Sequence, residues 1–211
     1  MLAELNHMVA SLQKRLSTSL PGQEAHQLAK VQSQTPFSFF NSIETPIPAS
    51  VLILLFPKDN DIHFFLTKRT DAVEHHKGQI SLPGGAREDG EQLQETAIRE
   101  TEEEIGVDKN IIQLVGGLTP FYTQVTGFMV HPFIGWCNKE PSTNIQIDEV
   151  NKLFTVSLPT LLDDQIFQSE NWEIRGQKAV VPFYNFEGRK VWGVTASILS
   201  EFKLILKDMK L

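Results

Sequence analysis

Glu100, Glu103 and Glu104 fall within one short stretch, Arg99-Glu100-Thr101-Glu102-Glu103-Glu104-Ile105-Gly106-Val107. Residues 91–105 contain neither Gly nor Pro, so they read as a helix that Gly106 ends. At about 100° per residue these carboxylates lie within about 100° of one another, while Glu102 points elsewhere. Like charges so close lower helix stability, unless cations sit among them. Clustered hard oxygen donors suit Mg²⁺ or Mn²⁺; a solvated acidic face is the plain alternative. Leu93, Ala97, Thr101 and Ile105 make an i, i+4 stripe on a neighbouring face that can pack on a sheet. Arg99 immediately precedes the cluster, where it can orient or neutralise a carboxylate.

The helix follows residues 70–90, which read as a long loop with Gly78, Gly84, Gly85 and Gly90. A loop of that length in a compact chain is usually functional, and Gly84-Gly85 lets the backbone approach a metal or phosphate. Lys68, Arg69 and Lys77 form a local positive patch beside the carboxylate helix, and Arg can hold a phosphate bidentately. His75-His76 has no partner at metal-ligand spacing and reads as loop.

These residues need a scaffold. Leu2, Leu5, Met8, Val9, Leu12 and Leu16 recur at helical spacing, so residues 1–19 predict a helix stopped by Pro21-Gly22 and covering a sheet edge, a dimer arm being the sharper alternative. Residues 22–46 read as an ordered loop whose Phe37, Phe39 and Phe40 pack on the core. Strands are expected over 49–56, 62–68, 111–115, 128–137, 150–156, 172–175 and 179–186, and a closing helix over 194–206. Strands mixed with a few helices imply α+β or a mixed-sheet α/β sandwich. The 211 residues, 41% hydrophobic and 21% charged, suit one domain with an extension. A net charge of −7 argues against duplex nucleic acid and anionic membrane as partners. A small anionic substrate then needs a metal ion or a few placed cations. Cys137, the single cysteine, sits in an apolar stretch and reads as a buried strand residue. With no continuous h-region at the start and no apolar run long enough to span a membrane, a cytoplasmic protein is expected.

The spacing from Gly85 to Val107 resembles the Nudix box, G-x5-E-x7-R-E-U-x-E-E-x-G-U with U a bulky apolar residue. Gly85, Glu91, Arg99, Glu100, Glu103, Glu104, Gly106 and Val107 match, and Thr101 stands at the first U position. Upstream, Leu66, Thr67, Arg69, Gly78, Pro83, Gly84 and Gly85 resemble the element L-[LM]-T-x-R-[SA]-x3-R-x3-G-x3-F-P-G-G of coenzyme A pyrophosphatases. Thr70, Glu74 and Leu82 depart from it, as does the missing L-[LM] pair; Glu74 replaces an Arg that can meet a phosphate.

The resemblance implies an α/β protein of the Nudix fold, an α/β/α sandwich with a mixed β-sheet. Residues 1–46 would be a helix-and-loop extension and residues 47–211 the hydrolase domain. It implies hydrolysis of the pyrophosphate bond of coenzyme A, and of its thioesters, to 3′,5′-ADP and 4′-phosphopantetheine. Mg²⁺ or Mn²⁺ would be held by Glu100, Glu103, Glu104 and the Gly85 carbonyl. Glu103 is the first choice for general base and Glu149 the second, with Glu91 and Arg99 fixing the loop and the carboxylates. Lys68, Arg69, Lys77 and Gly84 would bind substrate, the cations meeting its 3′-phosphate. A monomer or homodimer is expected. Another nucleoside diphosphate derivative as substrate (ADP-ribose, NADH, an oxidised dNTP) and a non-catalytic nucleotide-binding module remain the alternatives.

Overall fold

A computed structural model describes residues 2–33, 45–70, 79–174 and 176–210. In chain order its elements are α1 (Leu2–Leu16), α2 (Gly22–Leu28), β1 (Gln32–Ser33), β2 (Ile47–Lys58), β3 (Asp61–Arg69), β4 (Ile80–Ser81), β5 (Gly84–Ala86), α3 (Leu93–Ile105), β6 (Gln113–Gly117), β7 (Phe121–Tyr122), β8 (Phe128–Trp136), β9 (Val150–Ser157), α4 (Leu158–Leu162), β10 (Phe167–Ile174), β11 (Gln177–Phe186), β12 (Arg189–Trp192) and α5 (Gly193–Asp208).

The main sheet is mixed. β2 runs parallel to β8 and antiparallel to β3 and β5, β9 and β4 flank β3, and β6 and β7 pair with β8. The hairpin between β2 and β3 turns on Asp59 and Asn60 at φ 48° and 66°, the positive values a tight hairpin turn requires. β2 reads as a continuous apolar run because both its faces are covered. Leu52, Leu54 and Phe56 pack under α3 with Phe65, Ala97 and Ile105. Ile53 and Leu55 face the other way, with Phe64 and Leu66, into a larger core closed by Leu12 and Leu16 of α1 and by Ile198, Leu199, Phe202 and Leu206 of α5. Helices therefore lie on both faces of a mixed sheet, the expected α/β/α sandwich. A smaller sheet, in which β11 pairs with β1, β10 and β12, packs into that larger core through Tyr184, Phe186 and Val191. No helix of the described residues is long and apolar enough to cross a membrane.

Two expectations are corrected. The 22–46 loop contains helix α2 and strand β1, while Phe37, Phe39 and Phe40 lie outside the described residues. The 70–90 loop contains β4 and β5, and β5 is a strand because it pairs with Ala49–Val51 of β2. Neither short strand has a periodic pattern of its own; pairing with a neighbour distant in sequence makes it one.

α2 is tied down by a buried acid. The Glu201 carboxylate of α5 accepts hydrogen bonds from Gly22 N at 3.0 Å, Thr119 N at 3.1 Å and Thr119 Oγ1 at 2.6 Å, and His26 Nε2 lies 3.1 Å away. Burial pushes its pKa up, but the bonds from His26, Thr119 and Gly22 outweigh this and hold it below 4.5. A depressed carboxylate gives stability that is present above its ordinary pKa and is lost as pH falls through the depressed value. Glu201→Ala strands several buried donors and is expected to lose about 3–5 kcal/mol in urea unfolding at pH 7. An unchanged urea midpoint would show that the node carries no stability.

Candidate active site

Arg99 organises the start of the site. Its Nε donates to Glu91 Oε1 at 2.6 Å, its Nη1 to Glu100 Oε1 at 2.9 Å and Glu103 Oε2 at 2.8 Å, and its Nη2 to the Ala86 carbonyl at 3.2 Å. One planar fork thus joins β5, the turn before α3 and two of the helix carboxylates. The hydrogen bond from Arg99 is the main cause of a Glu91 pKa pushed down to about 2, and Thr96 adds an Oγ1 donor at 2.8 Å. Glu91 itself lies before the helix, which starts at Leu93, where Glu95 accepts from Gln92 N at 2.8 Å and caps the first turn.

The carboxylates on α3 are not equivalent. Glu103 is 59% exposed, Glu100 16% and Glu104 3%. Rotation about the helix axis decides this: Glu104 and Glu100 face the sheet edge at β5, and Glu103 faces solvent. A Cβ at Gly85 would lie 2.5 Å from Glu100 Oε1, so a larger residue there would displace that carboxylate. Gly84 N donates to Glu104 Oε2 at 3.4 Å, and Arg69 Nη1 stands 3.6 Å from Glu104 Oε1. Burial, with the charges of Glu100 and Glu149 added, pushes Glu104 up to about 8 against the opposing Arg69. Glu100 is also raised, first by burial and then by Glu103 and Glu149, with Arg99 opposing.

Glu149 reaches the site by a route that no local pattern shows. The chain between β8 and β9 crosses the C-terminal end of α3, where Asn144 N donates to the Ile105 carbonyl at 2.8 Å and Gln146 N to the Glu104 carbonyl at 2.9 Å. These are carbonyls a helix end leaves unpaired. Thr70 N then donates to the Glu149 carbonyl at 2.9 Å and Thr70 Oγ1 to the Asp148 carbonyl at 3.0 Å. Glu149 is thereby fixed at the end of β3, close enough that its charge raises both Glu100 and Glu104. Sequence reasoning missed Thr70, Thr96, Asn144 and Gln146 as supports; only their hydrogen bonds mark them.

Glu100, Glu104, Gly84, Gly85, Arg69 and Glu149 therefore come together, with Arg99 behind them and Glu103 at the margin. Within the expected patch of Lys68, Arg69 and Lys77, the described residues put Lys68 and Arg69 on different faces of the sheet. Successive strand residues point to opposite faces, and Lys68 pairs across β9 with Lys152, two residues beyond the core pair of Leu66 with Phe154. Lys68 thus belongs to the face away from α3, whereas Arg69 meets Glu104. Lys77, with His75 and His76, lies outside the described residues.

Among the described residues, no His, Cys, Asp or Glu side chains are preassembled as a metal-ligand group. The donor set nevertheless fits a hard divalent cation. Its atoms are carboxylate and carbonyl oxygens, and the buried Glu104 carries a proton affinity that a cation would replace. Glu103 must leave Arg99 to join such a set. In metal-free buffer the raised Glu104 pKa has a stability consequence. A carboxyl raised on folding contributes stability that is present below its unfolded value of about 4.5 and is lost as pH rises to about 8. Metal-free Glu104→Gln should flatten the decline of Tm across that window and melt above wild type at pH 8; parallel profiles would contradict the placement of Glu104.

A family model described as NUDIX domain matches residues 46–173. The chain is 36% identical over 186 residues to Nudix hydrolase 15, mitochondrial, of Arabidopsis thaliana, covering 84% of this chain but 65% of that protein. It is 34% identical over 119 residues to a peroxisomal coenzyme A diphosphatase of Caenorhabditis elegans, covering 55% of this chain and 51% of the relative. Among solved structures, a Nudix hydrolase from M. smegmatis, RenU, superposes with a TM-score of 0.51 at 16% identity over 86% of this chain and 97% of its own. That likeness concerns the fold. The sequence relatives and the matched model, which spans more than half the chain, carry the assignment: this chain belongs to the Nudix family.

Proposed function

We propose that this chain is a divalent-metal-dependent hydrolase that cuts the pyrophosphate bond of coenzyme A, releasing 3′,5′-ADP and 4′-phosphopantetheine. The observation that carries the reading is the convergence of Glu100, Glu104 and Glu149 on the Gly84–Gly85 backbone, with Arg69 at 3.6 Å from Glu104. Glu100, Glu103, Glu104 and the Gly85 carbonyl would hold Mg²⁺ or Mn²⁺. When bound, the ion supplies charge neutralisation of the phosphoanhydride oxygens and a lowered pKa for water.

The chain's own residues do the rest. Arg99 holds Glu91 and Glu100 in place, and it must release Glu103 before that carboxylate can join them. Arg69 stands where it can hold a phosphate oxygen beside Glu104. Glu103, exposed and turned to solvent, takes the proton of the attacking water; Glu149 is the competing base, and the pH profiles of Glu103→Gln and Glu149→Gln separate them. The choice of coenzyme A rests on the resemblance carried by Leu66, Thr67, Arg69, Gly78, Pro83, Gly84 and Gly85, and on the relative called a coenzyme A diphosphatase. Glu74, where the element has Arg, favours the second reading, a different nucleoside diphosphate derivative such as ADP-ribose, NADH or an oxidised dNTP.

A hydrolysis panel of coenzyme A, dephospho-coenzyme A, ADP-ribose, NADH and an oxidised dNTP tests the reading. Coenzyme A is expected to give the highest kcat/KM. A tenfold or greater preference for ADP-ribose would replace coenzyme A but keep the chemistry, and no turnover of any compound would leave a binding module.

A further inference from the structure

The face of the main sheet away from α3 holds a cavity of about 170 Å³. Leu66, Ile80, Phe154 and Val156 from the main sheet and Phe186 and Val191 of the smaller one give it an apolar floor on one side, and His63, Thr155, Ser157 and Thr160 line the rest. Its rim is cationic. The Arg189 guanidinium lies 4.5 Å from the centre of the Phe154 ring, and Lys152 Nζ lies 5.8 Å from the same ring. Lys68 stands opposite Lys152 on the same sheet face. Glu187 is the one acidic residue lining the cavity among those described, and it is already bound to Arg189 at 2.8 Å. Among the described residues no carboxylate pairs with Lys68 or Lys152, so in a chain of net charge −7 the rim keeps an excess of positive charge.

This cavity is near the carboxylates in spite of the sheet between them. Lys68 and Arg69 are consecutive at the end of β3, Lys68 on the sheet face of the cavity-lining Leu66 and Arg69 beside Glu104. Ile80 lines the cavity, and four residues later Gly84 binds Glu104. Four residues of extended chain span at most about 14 Å, the scale of an extended nucleotide. A floor of this size accommodates a flat ring, and the flanking ammonium groups fit an oxyanion carried by the sugar attached to that ring.

We propose that this cavity takes the end of the substrate remote from the bond that is cut: a flat base on the Leu66–Phe154 floor, with the phosphate monoester of its attached sugar held by Lys68 and Lys152. The proposal rests on the pyrophosphatase reading above and assigns the selective contact to Lys152 and Lys68, on the opposite face from Arg69. The remote phosphate is then recognised apart from the reacting one, so its loss is felt mainly in KM.

Isothermal titration of the full chain in metal-free buffer, with adenosine 3′,5′-bisphosphate and adenosine 5′-monophosphate as probes, tests it without turnover. Wild type is expected to bind the bisphosphate about tenfold or more tightly than the monophosphate, the effect of one charge-assisted hydrogen bond. Lys152→Glu, at an exposed position that does not threaten folding, is expected to abolish that preference, and Lys68→Ala to reduce it. In parallel, the ratio of kcat/KM for coenzyme A over dephospho-coenzyme A should fall about tenfold in Lys152→Glu, through KM. A merely structural lesion would lower both substrates and leave the ratio intact. If Lys152→Glu keeps the wild-type bisphosphate preference, the proposal fails, whatever the enzyme cleaves. If the preference is lost but wild type cleaves no coenzyme A, the cavity stands and the coenzyme A reading fails.

Discussion

Glu104→Gln should lower kcat by about three to four powers of ten, each power being about 1.4 kcal/mol of barrier. Glu104 is the most buried of the clustered carboxylates, touches Gly84 N, and carries a proton affinity that burial, Glu100 and Glu149 have raised. Gln keeps the shape and the hydrogen bond from Gly84 N but removes the charge that would face a cation. The variant should fold, because a neutral side chain replaces a carboxylate that burial disfavours. Glu103→Gln should also lower kcat by several powers of ten if Glu103 is base and ligand, although its side chain is exposed and currently bound by Arg99. Steady-state kinetics at saturating metal and substrate separate these effects from KM. If both variants keep near wild-type kcat, α3 is not the catalytic helix.

Removing divalent metal should have an effect at least as large. In excess EDTA, turnover is expected to vanish, and Mg²⁺ or Mn²⁺ should restore it. Zn²⁺ should restore little, because the donors are carboxylate and carbonyl oxygens with no thiolate or paired imidazole among the assigned ligands. The reason lies in the charge count. Glu100, Glu104 and Glu149 face a substrate that is itself anionic, and among the described residues only Arg69 is ion-paired to Glu104. Arg69 beside Glu104, together with an Arg99 shared among Glu91, Glu100 and Glu103, cannot balance these carboxylates and a pyrophosphate. Assaying the chelated and reloaded protein on the same substrate decides the matter, and full activity in EDTA would remove metal from the mechanism.

The sequence by itself determined the parts of the site that are local. Arg99, Glu100, Glu103 and Glu104 share one helix, and the helical period fixes their relative angles without reference to the rest of the chain. Gly106 ends that helix at φ 69°, and the apolar run of β2 announces a strand covered on both faces. Tertiary structure decided what depended on distant pairing. Whether Glu103 or Glu104 is buried follows from how α3 sits on β2 and β5, since an angle on the helix says nothing of what lies beyond it. Glu149 meets the carboxylates only because Asn144 and Gln146 satisfy the C-terminal carbonyls of α3 and Thr70 holds the following residues. Lys68 and Arg69, adjacent in sequence and of like charge, were separated by the alternation of a strand, which becomes informative only once the sheet shows which face each side occupies. The floor of the far cavity, with Leu66 and Phe154 against Phe186 and Val191, comes from two sheets whose packing no short-range pattern encodes.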